Sequence, residues 1–190
     1  MRASICFCSA SVILKLMVGF LCLLPIAMLL VLSVHFWREQ AIVIEQICFP
    51  PNEACSEKSM KERIAAAQDL FLAAVDKRTG KVAGFLNGIA TDEYCFRDEF
   101  FTDASLHNSE GRNIMLLGLD VLPEYQRQGL GRELVYQYLR RERERGRGEV
   151  FLTCLNSKVE MYKKFGFVDR GIANSTWGGE EWHEMSCTLG

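Results

Sequence analysis

The sequence predicts a mixed α/β domain, a twisted central sheet flanked by helices, preceded by a hydrophobic N-terminal helix. Three observations carry this. After residue 40, helix-like and strand-like stretches follow in the order ααββ, then βα, βα, ββ, the pattern of one sheet covered by helices. The stretch Ile114 to Val121 is almost continuously apolar, as expected of a strand with both faces covered. Ahead of both, Leu16 to Trp37 runs for 22 residues without a charged side chain.

That first run sets the expected organisation. At about 1.5 Å per residue, such a helix spans a hydrocarbon core of ~30 Å. Residues 16–37 are therefore expected as a membrane anchor, residues 1–37 as a segment apart, and residues 38–190 as the working domain. Phe36, Trp37 and Arg38 suit a membrane interface. No small-residue cleavage site marks a removable signal. The competing reading is an extension upstream of the true start. Arg2 and Lys15 before the run, and Arg38, Lys58, Lys61 and Arg63 after it, pull the orientation in opposite directions.

Gln40 to Cys48 reads as a helix that stops at Phe49-Pro50-Pro51, because proline biases its predecessor to extended geometry and cannot continue a helix. Ser56 offers an N-cap for a second helix to about Ala67. Leu70 to Val75 and Lys81 to Ala90 form a hairpin around the turn Asp76-Lys77-Arg78-Thr79-Gly80. Thr91 to Asn113 is polar and rich in turn residues, a loop with one helical turn. Beyond the central strand, Gly131 to Gly146 is a helix with Leu134, Val135, Tyr138 and Leu139 on one face. Its tail, Arg140 to Arg147, alternates in sign and reads as a solvated face. Glu149 to Cys154 is a strand and Lys158 to Phe165 a helix. Phe167 to Ile172 and His183 to Leu189 close the sheet.

A net charge of -2 gives no pull toward nucleic acid. The eight cysteines form no CxxC pair and have no histidine partners at zinc-ligand spacing, so they read as reduced thiols and no metal is expected.

The informative motif is Gln126-Arg127-Gln128-Gly129-Leu130-Gly131, between a buried strand and an amphipathic helix. Such a loop aims backbone N–H groups at one point, and the helix start adds the positive end of its dipole. Glycines let the chain approach a pyrophosphate closely, and Arg127 and Arg132 add charge-assisted contacts. The lysine and hydroxyl residue of a P-loop are missing. The third glycine of a dinucleotide fingerprint is replaced by Leu134.

Gln126-x-x-Gly129-x-Gly131 resembles the acetyl-CoA motif of GNAT-superfamily N-acetyltransferases. Tyr162, four residues before Gly166-Phe167, resembles their second signature. Within that superfamily the chain is most similar to the arylalkylamine branch, through Cys48-Phe49-Pro50-Pro51-Asn52-Glu53-Ala54, Leu152-Thr153-Cys154 and the ending Glu184 to Leu189. The resemblance covers residues 41 to 189. It departs from the branch in two ways. No first strand is visible ahead of the first helix, and the branch's usual histidine pair is replaced by Met115 and Leu117.

The resemblance implies transfer of an acetyl group from acetyl-CoA to a primary amine of a small molecule, by direct attack. The backbone of Leu119, Asp120 and Val121 should pair with pantetheine like an added strand. Backbone N–H groups of Arg127, Gln128, Gly129, Leu130, Gly131 and Arg132 should bind the pyrophosphate. Phe49, Pro50 and Pro51 should line the amine pocket. Tyr162 is the implied general acid and Glu53 the implied base, with His107 a weaker candidate. The acetyl-CoA pool would place the domain on the cytoplasmic side. Other readings are a protein or peptide N-acetyltransferase, a non-catalytic acyl-CoA-binding module, and a membrane-tethered interaction protein.

Overall fold

The computed structural model describes residues 28–31 and 37–190. Its described strands form one sheet: β1 (Met28–Val31), β2 (Phe71–Asp76), β3 (Val82–Thr91), β4 (Asn113–Val121), β5 (Glu149–Leu155), β6 (Val168–Ile172) and β7 (Trp182–Thr188). The spatial order is β1-β2-β3-β4-β5-β7-β6. All neighbours are antiparallel except β4 with β5. A parallel pair needs a crossover, and here helix α4 (Leu130–Glu144) supplies it, after helices α1 (Arg38–Cys48), α2 (Glu57–Ala66) and the short α3 (Glu99–Thr102). Helix α5 (Asn156–Lys164) follows β5.

The expected hairpin is present because its turn is chemically specified. Gly80 takes φ +70°, and the Thr79 and Gly80 amides donate to the Asp76 carbonyl. β2 is buried along its whole length. Leu72 and Ala74 join the core under α4 and α5, whereas Phe71, Ala73 and Val75 join the one under α1 and α2. The helix stops and starts follow the local chemistry. Phe49 ends α1 in extended geometry before Pro50, and the Ser56 hydroxyl accepts the Ser59 amide at 3.0 Å to open α2. The long loop before β4 holds α3 and a short 3₁₀ turn at Ala104–Leu106.

Within residues 16–37, where a single helix is expected, the structure describes one short stretch ahead of Trp37. Met28–Val31 is a strand, pairing from Met28 with Asp76 to Val31 with Ala73. An unbroken apolar run carries no period that separates helix from strand, and the outer edge of β2 presents N–H and C=O groups that need partners. These residues are the first strand that had not been visible ahead of α1. The rest of the expected anchor, residues 16–27 and 32–36, lies outside the described residues. Among the described residues no helix is long and apolar enough to cross a membrane.

A second correction concerns the tail of α4. Arg141 and Glu142 are buried, not solvated. The Glu142 carboxylate accepts from Arg141 Nε at 2.7 Å and Arg145 Nη1 at 3.2 Å, with Arg147 Nε 3.7 Å from its other oxygen. Arg147 reaches on to the carbonyls of Ser109 and Gly111, and Arg145 to Asp69. The alternation of sign that suggested exposure instead lets neighbours pair inward, under the loop before β4.

Candidate active site

β4 and β5 are hydrogen-bonded only from Asn113 to Met115 and from Glu149 to Phe151. Beyond that they part. On its other side β4 carries a bulge, because Asn87 faces Gly118 while Gly88 faces Leu116, so Leu117 is the extra residue. Bulges bend the strand that carries them. β5 meanwhile stays paired with β7 through Leu155. Between the diverging strands opens a cleft of about 980 Å³. The β5-facing edge of β4 is thus unpaired from Leu116 to Val121, a strand edge open to a linear amide-bearing ligand.

At one end of the cleft stands the start of α4. Gly129 caps the helix at φ +87°, a left-handed conformation that disfavours any side chain. Arg127 is also left-handed, at φ +58°. The first helical bond runs from the Glu133 amide to the Gly129 carbonyl, which leaves the N–H groups of Leu130, Gly131 and Arg132 at the open helix start. Such alternation of backbone conformation makes an anion-binding concavity. Gly131 is less constrained, since a Cβ there would meet only Val121 Cγ2 at 3.8 Å and Leu119 Cδ2 at 3.9 Å. Arg127 and Arg132 line the cleft, and neither forms an ion pair with a described residue. Gln126 Nε2 donates to the Val121 carbonyl at 2.8 Å and ties the loop to β4. Gln128 turns its side chain back to the Glu124 carbonyl, so only its backbone belongs to the loop's inner surface.

Of the three β4 residues expected at the cofactor, Leu119 and Val121 line the cleft. The Val121 carbonyl is already engaged by Gln126 and by Cys48 Sγ at 3.5 Å. The Asp120 side chain points the other way and is wholly buried.

At the other end, Phe49, Pro50 and Glu53 line the cleft. Pro51 is not among the residues that line it. The amides of Glu53 and Ala54 both donate to the Pro50 carbonyl at 2.9 Å, and the resulting turn leaves Pro51 exposed. The residues sequence reasoning missed are aromatic. Phe101 stacks on Trp177 at 4.9 Å, and Trp182 Nε1 donates to the Trp177 carbonyl. Trp177 Nε1 donates to the Glu53 carbonyl and Asn52 Nδ2 to the Gly178 carbonyl, each at 2.8 Å. The 177–179 turn is thus strapped to the 50–54 loop. Burial, and then the charge of Glu180, push the Glu53 carboxyl above its ordinary value.

Tyr162, on α5, is buried between Phe165 and Phe167, with ring centroids 5.9 and 5.7 Å away. It lines the cleft, and its hydroxyl makes no hydrogen bond with the described residues. Burial first, then Cys154 and Asp120, raise its pKa, so the phenol keeps its proton. Three thiols share the cleft. Burial pushes Cys48 and Cys55 up to about 12 and Cys154 up to about 11, which keeps them protonated and weakly nucleophilic near neutral pH. His107 is elsewhere: its Nδ1 accepts the Ala90 amide at 3.1 Å as part of the β3 end. Among the described residues, no group of His, Cys, Asp and Glu is arranged to hold a metal ion.

A family model described as acetyltransferase (GNAT) family matches residues 37–167. Among solved structures, the loading GNATL domain of CurA from Lyngbya majuscula superposes with a TM-score of 0.72 at 15% identity, covering 85% of this chain and 98% of that one. The GNAT-like decarboxylase GphF, in complex with isobutyryl-CoA, gives 0.66 at 17% identity, covering 80% and 95%. The ribosomal-protein-S18-alanine N-acetyltransferase from Escherichia coli gives 0.62 at 21% identity, covering 85% and 94%.

Proposed function

The chain belongs to the acetyltransferase (GNAT) family, and from that premise we propose that it transfers an acetyl group from acetyl-CoA to a primary amine of a small molecule by direct attack. The observation that carries the reading is the parting of β4 from β5 beside a glycine-capped helix start, with a protonated tyrosine in the same cleft. In this reading the open edge of β4 near Leu119 and Asp120 pairs with pantetheine, and the N–H groups from Arg127 to Arg132 hold the pyrophosphate. Raised thiol pKa values support direct attack over an acyl-cysteine route.

The chemistry needs two proton movements. A primary amine, with a pKa of about 10, must lose a proton before it attacks the thioester. The departing thiolate must gain one, and Tyr162 is the proposed donor. The aromatic wall of Phe49, Phe101, Trp177 and Trp182 favours an amine attached to an apolar or aromatic body, in keeping with the arylalkylamine branch. Hydrogen bonds strap residues 50–54 to 177–179 at that end, which favours a small acceptor over a peptide. Glu53 stands at this end, beside the strap, where the resemblance makes it the base for the incoming ammonium. Supply of acetyl-CoA places the domain on the cytoplasmic side.

The test is acetyl-CoA turnover by the purified protein across arylalkylamines, polyamines and peptide N-termini. Turnover confined to peptides would move the substrate class, and tight binding without turnover would leave only a binding module. Tyr162→Phe should lower kcat by about 10²- to 10⁴-fold while acetyl-CoA affinity, read by calorimetry, stays near wild type.

A further inference from the structure

Beside the cleft, beneath β4, sits a group of buried polar atoms whose only partners are one another. Both carboxyl oxygens of Asp120, Oε2 of Glu45 and Nδ2 of Asn87 are buried and find no hydrogen-bond partner outside this group. They converge on Gly118. A Cβ built there would lie 3.0 Å from Asp120 Oδ2, 3.1 Å from Asn87 Nδ2 and 3.7 Å from Glu45 Oε2. Asn87 is 1% exposed, so an amide donor with no acceptor outside this group is aimed at the same point as two carboxyls. Glu45, Arg63 and Gly118 line the cleft, and Asp120 lies behind them.

The neighbours do not neutralise this pair in the usual way. Arg63 stands near, but its guanidinium donates to Asn87 Oδ1 at 3.1 Å and to the Phe101 carbonyl at 3.0 Å. The Cys55 amide donates to Glu45 Oε1 at 2.9 Å, which fixes one carboxyl oxygen and leaves the other to this group. The groups facing Glu45 are therefore Asp120 on β4, Arg63 on α2, Cys55 in the loop after α1 and Cys48 on α1 itself. Two buried carboxyls within hydrogen-bonding reach cannot both stay charged, so they hold a proton between them. Burial, then the charge of Glu45, raise Asp120 well above the ordinary aspartate range. Apolar residues of similar size would stabilise the fold as well or better.

We infer that the Glu45–Asp120 carboxyl pair is the proton acceptor for the amine, with Glu45 meeting the amine and Asp120 positioning it from behind. This rests on the acetyltransferase reading, and it moves the base from Glu53 to Glu45. The acceptor class is a primary ammonium that enters along the aromatic wall. Its ammonium gives one proton to Glu45. The free amine attacks the thioester carbonyl, the N–C bond forms and the C–S bond breaks. The thiolate takes the Tyr162 proton, and the second nitrogen proton returns through water to Tyr162. Glu45 releases its proton to solvent, so each turnover yields the amide, free coenzyme A and one proton. Glu45 and Tyr162 both line the cleft, which places acid and base in one site.

The experiment uses the full chain and an amine the wild type acetylates, comparing Glu45→Gln, Glu45→Asp and Glu53→Gln. Glu45→Gln should lose about 10²- to 10⁴-fold in kcat/KM at neutral pH with acetyl-CoA affinity unchanged by calorimetry. Its rate should recover as pH approaches the amine's own value of about 10, where solution supplies the free amine. A merely structural role predicts an equal loss at every pH. Glu45→Asp keeps the acid limb of the pH profile but withdraws the carboxyl by one methylene, for a loss of about 10²-fold. It carries the test if the glutamine variant does not fold. Glu45→Gln within a few-fold of wild type, or a pH-rescued loss found in Glu53→Gln instead, overturns the inference alone. A wild type that acetylates no amine removes the premise and the inference together.

Discussion

Two buried charged clusters sit in this domain, and they differ in how their charges are matched. At the end of α4, Glu142 is fully buried but meets three arginines, and the Arg141 guanidinium lies over the Tyr138 ring at 4.7 Å. Its partners run on to carbonyls and to Asp69, so the cluster clamps α4 to the loops around it. In the cleft wall, Glu45 and Asp120 face each other, while the nearby Arg63 spends its hydrogen bonds elsewhere. Burial of charge by itself therefore does not mark a functional site. Both clusters hold buried atoms without hydrogen-bond partners, among them Arg141 Nη1 and Glu142 Oε2, but only in the second do two carboxyls face each other, with Glu45 on the cleft wall.

The comparison breaks first at Glu142. Glu142→Ala strips Arg141 of its buried counter-charge and should lower unfolding free energy by about 3–5 kcal/mol. Urea denaturation measures this, and the folded fraction should still bind acetyl-CoA as wild type does. If the loss were instead below about 1 kcal/mol, the α4 cluster would be no more structural than an exposed pair.

Asp120→Asn tests the other cluster and should move stability the opposite way. The folded Asp120 holds a proton that the unfolded chain releases once pH passes about 4. Its contribution is thus full at low pH and is lost as pH rises toward its folded value. The variant lacks that dependence. From about pH 4 upward its stability should gain on the wild type, by at most about 1.4 kcal/mol per pH unit. Denaturation at a series of pH values reads the slope, and a variant that loses ground as pH rises would mean Asp120 is charged and paired in the fold.

The smallest effect is expected at the rim of the α4 cluster. The Arg145 side chain is 32% exposed and bridges Glu142 and Asp69. Arg145→Ala should lower stability by about 1 kcal/mol or less, shrinking further in high salt. A loss near that of Glu142→Ala would show that the rim, not the buried pair, holds the clamp.

The end of the cleft at the start of α4 was legible in the sequence and the end beside Phe49 and Glu53 only in part. Gln126 to Gly131 declares itself because glycine spacing, a preceding strand and a following amphipathic helix are all local. Tyr162 declares itself only through the resemblance. Glu45 left a weak local trace: it falls on the same helical face as Ala41 and Ile42, which are buried, while Val43 and Ile47 are exposed. Arg63 likewise shares the Met60 and Ile64 face. Read alone, each looks like an interruption in an apolar stripe. Trp177 and Trp182 gave no trace, since nothing local says that their turn lies against residues 50–54.

The sequence by itself determined the hairpin around Asp76 to Gly80, the stop of α1 before Pro50, the Ser56 cap and the glycine-capped start of α4. Each depends on backbone preferences and hydrogen bonds within a few residues, so each is written where it acts. The tertiary structure alone decided that Met28–Val31 is a strand, because the free edge of β2 chose the pairing. It alone turned Arg141 and Glu142 inward and brought Glu45, Arg63, Asn87 and Asp120 together from two helices and two strands. Those outcomes rest on contacts between distant segments, and hydrophobic periodicity reports which face is buried, never what that face will meet.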